Sequence, residues 1–288
     1  MKRESNTYSW LLLLAMFFWG TGWSALKILT ENLSMDVIIF WRFLLMSLAF
    51  LPILYFFKVP IRLNFSAIKF IFASSVLNIG FMMSSFYGIK YGLAGAGSII
   101  ITSLSPLMTF LLTLILFKNR VSNTQTFGIF LGVIGGVIIL NLEDLGLFFD
   151  GSNIYFLLCA LIWAGVTLLS QHSQVHIHPI HYSFIISLIA TVFSFFYGYS
   201  SNFSIVLSQD SRFWSALLYL AIFGQTIGTT IFFVASGKLG SERTSSFMFL
   251  VPVFALFSSW LILDEAMQIH IVIGGVISMF AVYFINKH

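Results

Sequence analysis

Hydrophobic positions run in ten long blocks, and polar residues are largely confined to the short breaks between them. The blocks are roughly 10–28, 37–57, 67–89, 96–117, 125–141, 153–171, 180–198, 213–235, 245–263 and 269–286. A bilayer core about 30 Å thick takes roughly 20 apolar residues of helix, and none of these blocks carries more than two charges. Two are a little short at their edges. Helices satisfy every backbone N–H and C=O within the segment, which lipid requires. The pattern predicts an all-α membrane protein with ten transmembrane helices.

The second half repeats the logic of the first. An offset of 146 places Pro106 on Pro252, Leu93 on Leu239, Phe86 on Phe232 and Gly128 on Gly274. Trp19 pairs with Trp163 at an offset of 144, in the first block of each half. The matches keep the same block order, so the expected organisation is two five-helix repeats (5+5), over 10–141 and 153–286. Five is odd, so the second repeat enters the membrane inverted. Inverted repeats are a signature of secondary transporters, whose equivalent halves exchange inward-open and outward-open shapes around a midplane site.

Charge sets the expected orientation. With the N-terminus in the cytoplasm, the inside receives Lys2, Arg3, Lys58, Arg62, Lys69, Lys118, Arg120, Lys238, Arg243 and Lys287. The outside receives only Lys27, Arg42, Lys90 and Arg212. That is the positive-inside bias, and it predicts an N-in/C-in multi-pass protein of the cytoplasmic (inner) membrane. The run after Met1-Lys2-Arg3 extends to about Leu29, longer than the roughly 7–15 residues of a signal-peptide core, and reads as an uncleaved first span.

Composition agrees: 59% hydrophobic and 8% charged, against about 45–50% and 25% for soluble domains. Basic residues sit in short breaks with no aromatic-laced basic patch, which excludes nucleic acid as a partner. The single cysteine, Cys159, excludes an intrachain disulfide. His172, His176, His178 and His181 cluster without a cysteine or acid and without a zinc spacing, so no metal site is expected. There is no phosphate-gripping glycine loop, no acid–base or nucleophile set inside the blocks, and no selectivity-filter segment. An enzyme, an ATP-driven pump and a channel are all disfavoured, and no cofactor is implied.

Trp19-Gly20, Phe40-Trp41-Arg42-Phe43, the Pro106 and Pro252 blocks, and the segment Leu263-Asp264-Glu265 through Gln268 to Gly274-Gly275 resemble the drug/metabolite transporter superfamily, in its EamA-type ten-span carriers. The resemblance covers essentially the whole chain. Family members carry a Gly-Glu-like pair before the last span of each half; Glu265 matches it, but Asn119 stands where the first half should have glutamate. The resemblance implies a small-molecule carrier, commonly an exporter of amino acids or metabolites. Alternatives are an importer of a nucleotide-like or vitamin-like cofactor, and a non-transport membrane interaction protein.

The candidate pathway residues are Arg42, Trp19, Trp163, Asn78, Ser84, Gln225 and Thr229. Arg42 lies about five residues into its block. It either lines the pathway, as ionisable residues inside membranes commonly do, or snorkels to headgroups or to an acid such as Asp36. Trp19 and Trp163 can wall a cavity that stacks a ring or holds a cation, or can simply pack. Asn78 and Ser84 in the third block, and Gln225 and Thr229 in its counterpart, suggest one polar cavity lined from both halves; the alternative is interhelical bonding. Pro106 and Pro252 each remove a helix hydrogen bond and are hinge candidates. Gly128, Gly132 and Gly136, echoed by Gly274 and Ser278, have small-xxx-small spacing that serves close packing within the chain or in a homodimer. The lipid bilayer and a small-molecule substrate are the expected partners.

Overall fold

The apolar blocks fold as helices because lipid offers their backbone N–H and C=O groups no partner outside the segment, and the serines and threonines within them turn their hydroxyls back onto carbonyls of the same helix. The computed structural model describes residues 2–31, 33–58, 64–91, 94–117, 122–140, 153–263 and 269–287. In order, the helices are α1 (Lys2–Thr30), α2 (Met35–Phe57), α3 (Phe65–Tyr91), α4 (Ala94–Phe117), α5 (Asn123–Leu140), α6 (Asn153–Ser173), α7 (Pro179–Tyr197), α8 (Ser211–Leu239), α9 (Ser241–Ile262) and α10 (Ile269–Asn286). Eight of these are long and apolar enough to cross a membrane; α5 and α10 supply shorter apolar stretches, Asn123–Ile139 and Val272–Asn286. No strand occurs among the described residues. Asn119 and Glu265, the positions of the family's acidic pair, lie outside them.

The outer surface is inverted relative to a soluble protein. On α10, Val272, Ile273, Val276, Met279, Phe280 and Tyr283 are exposed, whereas Gly274, Ser278 and Ala281 face inward. Large apolar residues outside and small ones inside are what lipid demands, because packing between helices rather than water exclusion holds such a bundle together. This is a multi-pass helical membrane protein.

Helix pairing is reciprocal between the halves. α5 packs on α10 and α2 on α7. α1 lies against α8 and α9, while α6 lies against α3 and α4. Exchanging the first five helices for the last five leaves these pairs unchanged. The spaced glycines serve three different neighbours. A Cβ on Gly128 would meet Ile285 of α10 at 2.7 Å, one on Gly132 would meet Phe249 of α9 at 2.3 Å, and one on Gly136 would meet Ser103 of α4 at 2.3 Å. They therefore mark close approaches within one chain.

The prolines are not equivalent. Pro106 lies inside α4, which stays helical from Ala94 to Phe117, and hydroxyls around it bond carbonyls one turn back: Ser105 to Ile101 at 2.6 Å and Thr109 to Ser105 at 2.8 Å. Pro252 sits just after a 3₁₀ segment, Phe247–Leu250, where α9 changes its winding. The two hinge candidates therefore differ locally: α4 is continuous through Pro106, whereas α9 changes helix type just before Pro252.

The loop from α6 to α7 gives the histidine cluster a structural task. His176 stacks on Phe70, and His178 caps α7, its Nδ1 accepting the Ile180 N–H at 3.3 Å. That acceptor must be unprotonated. Burial, and then neighbouring His181, hold the His178 imidazole below its ordinary range. The unfolded chain therefore binds this proton more readily. The contribution is full above about 6.5 and is lost as pH falls through the lower folded value. His178→Asn keeps a capping acceptor without titrating. Between about pH 7.5 and 5.5 the wild type is expected to lose slightly more thermal stability than this variant; equal losses would remove the titrating cap.

Candidate functional site

A cavity of about 190 Å³ lies between the halves. Its walls are helical stripes: Phe18, Trp19, Gly22, Trp23 and Leu26 on α1; Met35, Ile38, Ile39 and Arg42 on α2; Phe81, Met82 and Ser85 on α3. These spacings of three and four put the residues on one face of each helix. Gly97, Ile101 and Thr102 of α4, Phe156 and Trp163 of α6, and Met248 and Val251 of α9 complete it with the middle of α8. The cavity sits toward the C-terminal ends of α1 and α3 and the N-terminal ends of α2, α4 and α6. Gly97 and Gly88 are required here: a Cβ on either would meet the Phe156 ring, at 2.3 and 2.5 Å.

The α8 wall depends on a change of winding. Leu220–Thr229 is a π-helical segment, bonded i→i+5 and so wider than an α-turn. Leu220, Gly224, Gln225 and Thr229 all line the cavity. In an α-helix, residues nine apart are two and a half turns apart and face opposite ways; the π-winding brings Leu220 and Thr229 to one side. Trp19 Nε1 donates to the Gly224 carbonyl at 2.9 Å, locking α1 to this segment. Gly228 is needed beneath it, since a Cβ there would lie 3.0 Å from that indole nitrogen. No sequence pattern announced the π-segment; two glycines and three threonines between Gly224 and Thr230 were its only trace.

Trp19 and Trp163 meet edge to face with ring centres 5.5 Å apart, and Phe81 lies 5.4 Å from Trp163. Phe232, fully buried, backs both indoles at 5.0 and 6.0 Å. The result is an aromatic floor. Above it, Arg42 is the single ionisable residue of the described lining. Its Nε is buried without a hydrogen-bond partner, and its guanidinium carbon lies 5.3 Å from the Phe43 ring centre. The pairing with Asp36 is absent: that carboxylate accepts instead from the Ser201 hydroxyl. Trp163 Nε1 and Thr229 Oγ1 are also buried and unpartnered. Gln225 lines the wall without a hydrogen bond to a described residue.

Five of the seven sequence candidates thus share one cavity: Trp19, Arg42, Trp163, Gln225 and Thr229. Asn78 and Ser84 do not line it. Asn78 lies on the lining face of α3 but about a turn below, where its amide donates to the Ser74 carbonyl at 2.9 Å. Ser84 is two residues from Met82, about 200° around the helix, and is buried on another face. The serine of α3 that reaches the cavity is Ser85, which donates to the Met82 carbonyl at 3.0 Å.

The opposite end is packed shut. Ser170 of α6 and Ser236 of α8 bond at 2.7 Å, Gln171 Oε1 accepts the Ser241 N–H at 2.8 Å, and Gln174 donates to the Phe233 carbonyl. Tyr182 of α7 is fully buried, hydrogen-bonded to Ser74 and edge-on to Phe233. α6 packs on the C-terminal third of α8 here, whereas its counterpart pair, α1 with α3, has no comparable packing among the described residues.

A bundle of membrane-crossing helices around an aromatic, arginine-bearing cavity, closed at one end, has the architecture of a class: the helical membrane transporters. The chain belongs to the EamA-like transporter family, whose profile matches residues 6–141 and again 151–287. It is 28% identical to an uncharacterized transporter of Synechocystis sp. over 99% of this chain and 92% of that one. It is also 24% identical to a probable amino-acid metabolite efflux pump of Escherichia coli, over 95% and 92%. A solved crystal structure shares the fold with a TM-score of 0.73 at 14% identity, covering 97% of both chains. Family and relatives are named for transport rather than catalysis.

Proposed function

We propose that this protein is a secondary carrier that exports small organic metabolites, amino acids or related compounds, across the cytoplasmic membrane by alternating access. The observation that carries it is the asymmetry just described. A cavity lies between reciprocal halves, and the α6–α8 contact that shuts one end lacks an α1–α3 counterpart at the other. Ten spans in two inverted five-helix repeats, 10–141 and 153–286, account for this. Moving the closure from α6–α8 to α1–α3 turns one open state into the other. The cavity has the volume of roughly six waters, which suits a metabolite of amino-acid size. The Escherichia coli relative's name supports the outward direction.

Reconstitution into liposomes with a labelled panel of amino acids and their deaminated and decarboxylated derivatives tests the reading. Saturable flux of at least one amphipathic compound is expected; none for any compound would overturn it. With the N-terminus inside, the cavity faces outward. In a Cys159→Ala background, an impermeant thiol reagent applied to intact cells should label Ser208→Cys and spare Val175→Cys, both exposed positions. The reverse labelling would invert the orientation.

A further inference from the structure

The chemistry of the cavity wall is one-sided. Its described lining has a single ionisable group, Arg42, and no carboxylate. Two of its three buried, unpartnered polar atoms, Arg42 Nε and Trp163 Nε1, can only donate; the third, Thr229 Oγ1, can donate or accept. A buried donor without a partner is costly to leave so, and a desolvated cation more so. Two wall carbonyls are already engaged, Gly224 by the Trp19 indole and Met82 by Ser85, and the acceptors left to a ligand's ammonium, the Gln225 amide oxygen and the Ser85 and Thr229 hydroxyls, are all neutral. The first turn of α4 reaches the wall at Gly97, adding the positive end of a helix dipole. The remaining wall is aromatic and aliphatic.

We infer that the cavity selects monocarboxylates with an apolar or aromatic body, binding them in preference to zwitterions and rejecting cations. This rests on the carrier reading above and narrows it by charge. The carboxylate offers Arg42 a planar acceptor matched to its fork, and accepts from the other unpartnered donors as its position allows. The apolar body lies on the Trp19–Trp163–Phe81 floor. An α-ammonium group would sit close to the guanidinium with no acid to balance it, in a site where like charges repel strongly.

Three ligands with one body separate the possibilities: phenylalanine, its deaminated form 3-phenylpropanoate, and its decarboxylated form phenethylamine. Equilibrium binding to the purified full-length protein at neutral pH is measured by competition against labelled 3-phenylpropanoate and by direct titration of each compound. The expected order is 3-phenylpropanoate at least tenfold tighter than phenylalanine, with no saturable binding of phenethylamine. Arg42→Gln, checked for monodispersity and thermal unfolding, should bring 3-phenylpropanoate down to the phenylalanine level. Equal or tighter binding of phenylalanine, or saturable binding of phenethylamine, overturns the charge selection while leaving a carrier in place. Saturable binding of none of the three overturns the inference too, and the liposome panel then decides separately whether the carrier reading stands. The ligand series uses the unmodified protein, so a poorly folding variant does not spare the inference.

Discussion

Replacing Arg42 by lysine is expected to raise the KM for substrate tenfold or more at unchanged abundance in the membrane. The arginine stands on the α2 stripe that begins at Met35, about two turns from the helix start, and its Nε is buried without a partner. Lysine keeps the charge but presents a compact ammonium instead of a planar five-donor fork. Hydrogen bonds to charged groups contribute about 1.5–3 kcal/mol, which corresponds to roughly ten- to a hundredfold in affinity. A residue that only snorkelled to headgroups would accept lysine without loss. Flux into proteoliposomes at several substrate concentrations distinguishes the two, and an unchanged KM would return Arg42 to an anchoring role.

Periodicity made the helices legible because lipid allows so few alternatives: an apolar run of this length has to be a helix. The pairing of Trp19 with Trp163 was also readable, since both occupy the first block of a half, and the structure sets their rings 5.5 Å apart. What could not be read was phase. Asn78, Ser84 and Ser85 look alike as polar residues in a greasy helix, yet only Ser85 reaches the cavity, because a hundred degrees per residue decides which face each one occupies. The phase of α8 was hidden further still. Its π-winding turns Leu220 and Thr229 to one side, where an α-helix would set them opposite. The prolines show the same limit: both remove a helix hydrogen bond, yet α4 keeps one winding through Pro106 while α9 changes winding just before Pro252.

The closed end yields the most decisive experiment. Ser170 and Ser236 lie near the C-terminal ends of α6 and α8, both fully buried, with their hydroxyls 2.7 Å apart. Side chains in contact at that distance lie within reach of disulfide geometry. In a Cys159→Ala background, the Ser170→Cys/Ser236→Cys pair is expected to transport at near wild-type rate when reduced. When oxidised it should fall to the background of empty liposomes, and reductant should restore it. Either cysteine alone should be insensitive. The reason is geometric: opening this end requires α6 to part from α8, and a covalent bond there holds the halves in the one state while the cavity stays reachable from its other side. Ligand binding should therefore survive oxidation even as flux is lost, which separates a lock from damage to the site. Full transport by the cross-linked fraction would mean that α6 and α8 move together, and the opening would then have to form elsewhere in the bundle.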